Sequence, residues 1–222
     1  MPESDPGAIV RQTIRSRRTT KAYSDAPLQH ATDRSVVEEL VETAGWAPFH
    51  RPAASVHLQR DTLTSVVPWR FYMLDAACCR RVRQRLLDQN SETKVPRMLA
   101  AATALIQVTW LPTPSKGPFE GLFEPSIVNM EHIAATAAAA QNLVLAATAR
   151  GIPSYWSSGG ALRDREAFGW LDIPEREILL GSVYLFPSDL EPCETTGGSL
   201  REQRGDVTTW AQWVELDDSA KE

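Results

Sequence analysis

Helices alternate with and flank a few strands along this chain, which predicts an α+β fold with a central sheet. Three observations carry that reading. Apolar residues recur at helical spacing in Val36, Val37, Leu40, Val41 and Ala44. Two short runs, 103–110 and 178–186, are apolar enough to be buried strands. An alanine-rich stretch from Ser126 or Asn129 to about Arg150 forms the longest helix.

Taken in order, Asp5 and Pro6 open a first helix as cap and first-turn proline, and Ile9, Val10 and Ile14 give it an apolar side. A basic run, Arg17-Arg18-Thr19-Thr20-Lys21-Ala22-Tyr23, follows, then a turn at 24–27. Asp33 caps the second helix, which Gly45 and Pro48 end. Residues 49–68 are irregular and carry His50, Arg51, Pro52, His57, Arg60 and Asp61; a connection of that length points to function. Residues 68–74 are aromatic-rich and read as a strand. Asp75 caps a helix with Val82 and Leu86 inward and a solvated basic face of Arg80, Arg81, Arg83 and Arg85. A Pro/Gly loop spans 112–125. The alanines of the long helix, closed by Gly151, suit a buried central helix or a subunit seam. Residues 152–160 form a short strand into a glycine turn, 164–171 a short helix, and Gly181 marks a bulge or a close approach in the last apolar strand. The tail from Pro187 is polar and contains Gly197-Gly198, Arg201 and Arg204, followed by Trp210 and Trp213, whose size suggests docking.

With 222 residues, 43% of them hydrophobic, the chain can bury a substantial core. Its net charge of −5 does not advertise a nucleic-acid partner. Cys78, Cys79 and Cys193 show neither a disulfide framework nor a metal spacing, so no metal is expected and a reducing cytoplasm fits. Residues 1–6 lack the apolar stretch of a secretory leader. The most apolar run, 133–149, is mostly alanine and contains Gln141 and Asn142, so no membrane span is expected. Nucleophile-elbow, dinucleotide-binding and P-loop glycine motifs are all missing.

The chemistry concentrates in a few stretches. The run 17–23 offers guanidiniums, hydroxyls and an ammonium within five residues, a set suited to a phosphate monoester. A solvated basic helix end is its structural alternative. The sequence Trp156-Ser157-Ser158-Gly159-Gly160 is small and glycine-rich, so its backbone can approach a flat ring closely. Ala47-Pro48 and Pro68-Trp69 frame the irregular stretch.

Together, and in this order, these motifs resemble the FMN-dependent nitroreductase family over roughly residues 11–204. The resemblance implies a single nitroreductase-like domain over 1–222, with a central, mostly antiparallel sheet flanked by helices, an inserted loop at about 49–68 and a C-terminal arm at about 187–222. It implies an intertwined homodimer with FMN at the seam. Arg17, Thr19 and Arg201 would hold the phosphate, with Arg204 as the alternative to Arg201, and Arg18 would share the phosphate or a ribityl hydroxyl. Lys21 would support charge at the flavin N1/O2 edge. Pro52 stands where the family usually has an Asn at the flavin's polar edge, leaving His50 or Arg51 as its substitute. Trp156, Ser157, Ser158 and Gly159 would lie beside the flavin ring, with Ser158 and Gly159 at N5. No side-chain acid or base is assigned. The implied activity is ping-pong transfer of reducing equivalents from NAD(P)H to a small-molecule acceptor such as a nitroaromatic or quinone. A non-catalytic flavin-binding or storage protein, or a member oxidising another substrate, is the alternative.

Overall fold

The computed structural model describes residues 5–115 and 117–216. The leader expectation rests largely on residues 1–4, which lie outside that range, as do the last six residues of the expected arm, 217–222.

Local chemistry sets most of the helix starts. In α1 (Pro6–Ser16), the Asp5 carboxylate accepts from Gly7 N and Ala8 N. In α2 (Arg34–Ala44), Asp33 accepts from Ser35 N and Val36 N, and Val37, Leu40 and Ala44 are buried. Asp75 caps α3 (Ala76–Asp88) through Cys78 N at 2.8 Å. Ser126 caps α5 (Ile127–Ala149) through Asn129 N, which decides between the two candidate starts. Gly151 closes α5 with φ +69°, while Ile152 N reaches Ala147 O and Gly151 N reaches Thr148 O. Those two bonds satisfy carbonyls that a helix end leaves orphaned.

Four antiparallel strands, β2 (Trp69–Asp75), β3 (Ala104–Trp110), β4 (Ser154–Ser157) and β5 (Ile178–Leu185), form the main sheet in the order β2-β3-β5-β4. Strand β3 is buried along its whole length, as its unbroken apolar run requires. On one sheet face Leu105 and Tyr184 pack with Leu86, Leu99 and other residues of α3 and α4 (Val95–Ala101). On the other, Ile106 and Val183 pack with Leu40 of α2 and Leu143 of α5. The β3–β5 register shifts between Val108 and Thr109, which pair with Gly181 and Leu179. Gly181 also lies under Trp156, whose Nε1 would be 2.2 Å from a Cβ placed there. Bulge and close approach therefore coincide at that glycine.

Three features depart from the sequence reading. The basic face of α3 is not merely solvated. Arg80 binds the carbonyls of Leu28 and His30, Arg83 binds Asp25 O at 2.8 Å, and Arg85 lies over the Trp170 ring. The short helix α4 was not anticipated. Two four-residue strands were also missed: β1 (Thr20–Tyr23) and β6 (Glu194–Gly197) pair antiparallel as a second, two-stranded sheet. A helix α6 (Arg165–Trp170) precedes β5.

The irregular stretch 49–68 contains one helical turn, Ser55–His57, and is tied down from within and without. Ala53 N binds Val66 O at 2.8 Å, and the buried Arg70 binds the carbonyls of Ser65, Val67 and Trp69. His57 Nε2 lies 2.8 Å from Pro112 O in the loop after β3.

Candidate cofactor site

The helix α1 ends at Ser16 because Arg17 leaves helical geometry with ψ 127°, and the chain straightens into β1. Ala22 and Tyr23 are buried at its inner end, whereas Thr20 and Lys21 are half-exposed. Strand β6 lies alongside, with Lys21 opposite Thr196 and Thr20 opposite Gly197. Residues 17–21 and 195–202, together with Arg204 and Tyr155 of β4, line a cavity of about 690 Å³.

That cavity is strongly cationic. Burial, and then the charges of Arg201, Arg204 and Arg18, pull the Arg17 guanidinium below its ordinary range. Among the lining residues the only carboxylate is Glu202, 3.6 Å from Arg201 Nε. Arg18 Nη1 donates to the carbonyls of Arg15, Ser16 and Arg17. Arg201 donates from Nη1 to Arg17 O at 2.9 Å and from Nη2 to Arg15 O at 2.6 Å. The Lys21 ammonium lies 5.1 Å from the centre of the Tyr155 ring. A cluster of cations with so little counter-charge gives the cavity a positive potential that favours an anion.

Tyr155 also connects the cavity to the glycine bend, since β4 runs from it directly into Trp156, Ser157, Ser158 and Gly159. Trp156 is half-buried over Gly181. Ser157 Oγ accepts from Gly159 N at 3.1 Å, and Gly159 and Gly160 have φ of +108° and +55°. Arg163 binds Ser158 O and, on β5, the carbonyls of Leu179 and Leu180, pinning the bend to the sheet. The bend itself does not line the cationic cavity. Neither do His50 and Arg51, which are exposed; Arg51 pairs with Glu131 of α5 at 2.8 Å.

A second cavity of about 500 Å³ adjoins the bend through Arg163 and Leu179 and is closed on another side by Pro112, Gly121 and Leu122. It is lined too by the buried Glu177, whose carboxylate accepts from Tyr72 Oη at 2.9 Å and from Thr109 Oγ1. Arg60, from the irregular stretch, lies 3.9 Å from the same carboxylate.

Arg17, Arg18, Thr19, Lys21 and Arg201 thus come together from opposite ends of the chain, whereas His50 and Arg51 stand apart within this single chain. Sequence reasoning missed Tyr155 and the hydroxyl-rich run Thr195-Thr196. The available signal was a small, polar stretch leading into Gly197-Gly198.

Helices pack on both faces of an antiparallel sheet, and a cationic cavity lies at the end of the first helix: the architecture is that of an α+β protein with a cavity suited to an anionic group. The sequence model of the nitroreductase family matches residues 14–185, and the chain belongs to that family. Membership makes it an oxidoreductase. It is 28% identical over 171 residues to a Bacillus subtilis protein named as an NAD(P)H nitroreductase, YfhC, covering 74% of this chain and 78% of that one. Its fold is similar to a nitroreductase-like protein from Bacillus cereus, with TM-score 0.67 and 20% identity over 97% of this chain and all of the other. It is also similar to a Desulfovibrio desulfuricans protein described as a nitroreductase in complex with FMN, with TM-score 0.58, 20% identity, and coverage of 96% and 99%. Among the described residues no helix is long and apolar enough to cross a membrane.

Proposed function

We propose that this protein is an FMN-dependent oxidoreductase that uses NAD(P)H to reduce a small organic acceptor such as a nitroaromatic or a quinone. The observation that carries the reading is the cationic cavity shared by Arg17, Arg18, Lys21, Arg201 and Arg204. A phosphate monoester carries about two negative charges near neutral pH and three strong acceptor oxygens, which suits this donor set. Thr19 adds a neutral hydroxyl. Lys21, seated over Tyr155 in the same cavity, would support negative charge on a reduced isoalloxazine held there. FMN, when bound, supplies hydride chemistry that NAD(P)H and the acceptor use in turn, a ping-pong sequence. The protein's part is to hold the phosphate, to offer the glycine bend as a close-approach surface, and to shape the acceptor cavity with the 49–68 insert and the loop after β3.

We read the chain as one domain with that insert and with an arm from about 187, and as one half of a homodimer. Ile9, Val10 and Ile14 of α1 and Ile127 and Met130 of α5 are all exposed, and Trp213 is 97% exposed. Apolar surface of that extent calls for a partner, and a second copy supplies a self-complementary one. His50 and Arg51 would then complete the flavin site from across the seam. The free thiols of Cys78, Cys79 and Cys193 suit a cytoplasmic location.

The test is direct. The purified protein should bind FMN and turn yellow, and NADH or NADPH added without oxygen should bleach that colour within seconds. A protein that stays colourless with excess FMN would falsify the reading. One that binds FMN yet resists bleaching by either nucleotide is a flavin carrier instead.

A further inference from the structure

Glu177 is a buried acid with no part in the chemistry above. It is 4% exposed, yet it lines the second cavity of about 500 Å³. Its carboxylate accepts from Tyr72 Oη at 2.9 Å and from Thr109 Oγ1, with Arg60 Nη1 3.9 Å away. Both hydroxyls already donate to it, so a group arriving from the cavity meets an acceptor and must bring a hydrogen of its own.

The three arginines of this cavity are not equivalent. Arg163 commits its guanidinium to the carbonyls of Ser158, Leu179 and Leu180. Arg165 pairs with Glu175 at 3.2 Å. Arg176 is exposed, and among the described residues its guanidinium has neither a hydrogen bond nor an ion pair. Burial therefore sets the direction of the cavity, with Arg176 at the mouth and Glu177 at the floor. Pro112, Leu122, Phe168 and Leu179 supply apolar wall. A guanidinium fork suits a carboxylate, and the volume suits a small organic molecule. An ammonium at the floor is disfavoured, because Arg163, Arg165 and Arg176 outnumber Glu175 and Glu177 there.

We propose that the second cavity binds a small aromatic carboxylate bearing a hydroxyl at its far end, with the carboxylate on Arg176, the ring against Leu122 and Phe168, and the hydroxyl donating to Glu177. This goes beyond the flavin reading and is independent of it, since the two cavities share no lining residue.

Isothermal titration of the purified protein with 4-hydroxybenzoate tests the assignment. Its methyl ester should bind about tenfold more weakly, the loss of one charge-assisted contact, and benzoate several-fold more weakly. Arg176→Ala should weaken the acid by about tenfold and leave the ester unchanged. Glu177→Gln should abolish the preference for 4-hydroxybenzoate over benzoate while keeping that for acid over ester. Should Glu177→Gln fail to fold, the benzoate comparison in the wild type still decides the floor, and the exposed Arg176 decides the mouth. Arg17→Ala, in the cationic cavity, should change none of these affinities.

No heat at millimolar ligand, or equal binding of acid and ester, overturns the proposal. So does an acid affinity that falls in Arg17→Ala and not in Arg176→Ala, which would put the ligand in the cationic cavity. The titration needs no flavin, so a protein that refuses FMN sinks the redox reading alone.

Discussion

Lys21 is held by its surroundings more than by its own bonds. Its neighbour Ala22 is fully buried, its strand is laddered to Thr196, and its ammonium sits over the Tyr155 ring. Lys21→Ala should therefore leave the far-UV circular dichroism unchanged while lowering FMN affinity by roughly tenfold or slowing reduction by NAD(P)H to a similar degree. Unaltered affinity and turnover would remove Lys21 from the site. Gly159 presents the opposite case, a residue chosen for what it lacks. At φ +108° a side chain is strained, and a Cβ would also lie 2.6 Å from Leu179 Cδ2. Gly159→Ala should cost about 1–3 kcal/mol in denaturant unfolding and should weaken flavin binding, because the bend must shift. At this scale the sequence was informative wherever chemistry is consecutive. Arg17 to Lys21 stand in a row, so the cluster of cations and hydroxyls was visible in the sequence, and the structure lines one cavity with it. Tyr155, Thr195 and Thr196 reach the same cavity only through folding, and nothing local to them says so.

Among the elements, the capped helices were legible because a cap is a contact between near neighbours. Asp5, Asp33, Asp75 and Ser126 each bind backbone within three residues. Strands β1 and β6 were not legible, since a four-residue strand with polar alternation acquires its identity from a partner, here more than 170 positions away. Helix α4 was missed because seven residues without a side-chain cap give little periodicity to detect. The irregular stretch 49–68 was rightly expected to lack long elements, but its anchoring could not be foreseen. His57 is buried with Nε2 against Pro112 O, and burial pushes its imidazole below the ordinary value of 6.5. An unfolded chain takes up that proton near 6.5 while the folded one resists. The resulting stability is fully present above 6.5 and is lost as pH falls below it towards the lowered folded value. Glu177 works in the other direction, for burial raises its carboxyl above the ordinary 4.5, so its contribution is lost as pH rises past that value. Measured from about pH 5 to about pH 8, the denaturant midpoint of the wild type relative to His57→Gln should fall on the acid side, because Glu177 titrates alike in both proteins and cancels in the difference. A difference that stays constant over that range would place the effect elsewhere.

Among the described residues, apolar side chains on α1, at the start of α5 and along 210–216 are exposed. Sedimentation at micromolar concentration should give twice the monomer mass, and replacing both Trp210 and Trp213 by serine should shift that equilibrium towards monomer. A wild-type sample that sediments at the monomer mass throughout would separate the flavin site from any need for a second copy. The two-stranded ladder has its own consequence for the polypeptide as an object. Residue 20 and residue 197 sit shoulder to shoulder, so the front and back of the molecule share one neighbourhood. The family match stops at residue 185, before β6 and both tail arginines begin. A protein shortened to end after Phe186 would retain all four strands of the larger sheet and lose residues 195–202 and Arg204 from the lining of the cationic cavity. The matched segment therefore ends before the second strand of that ladder, and deletions that reach residue 20 from one side or residue 197 from the other act on the same few ångströms.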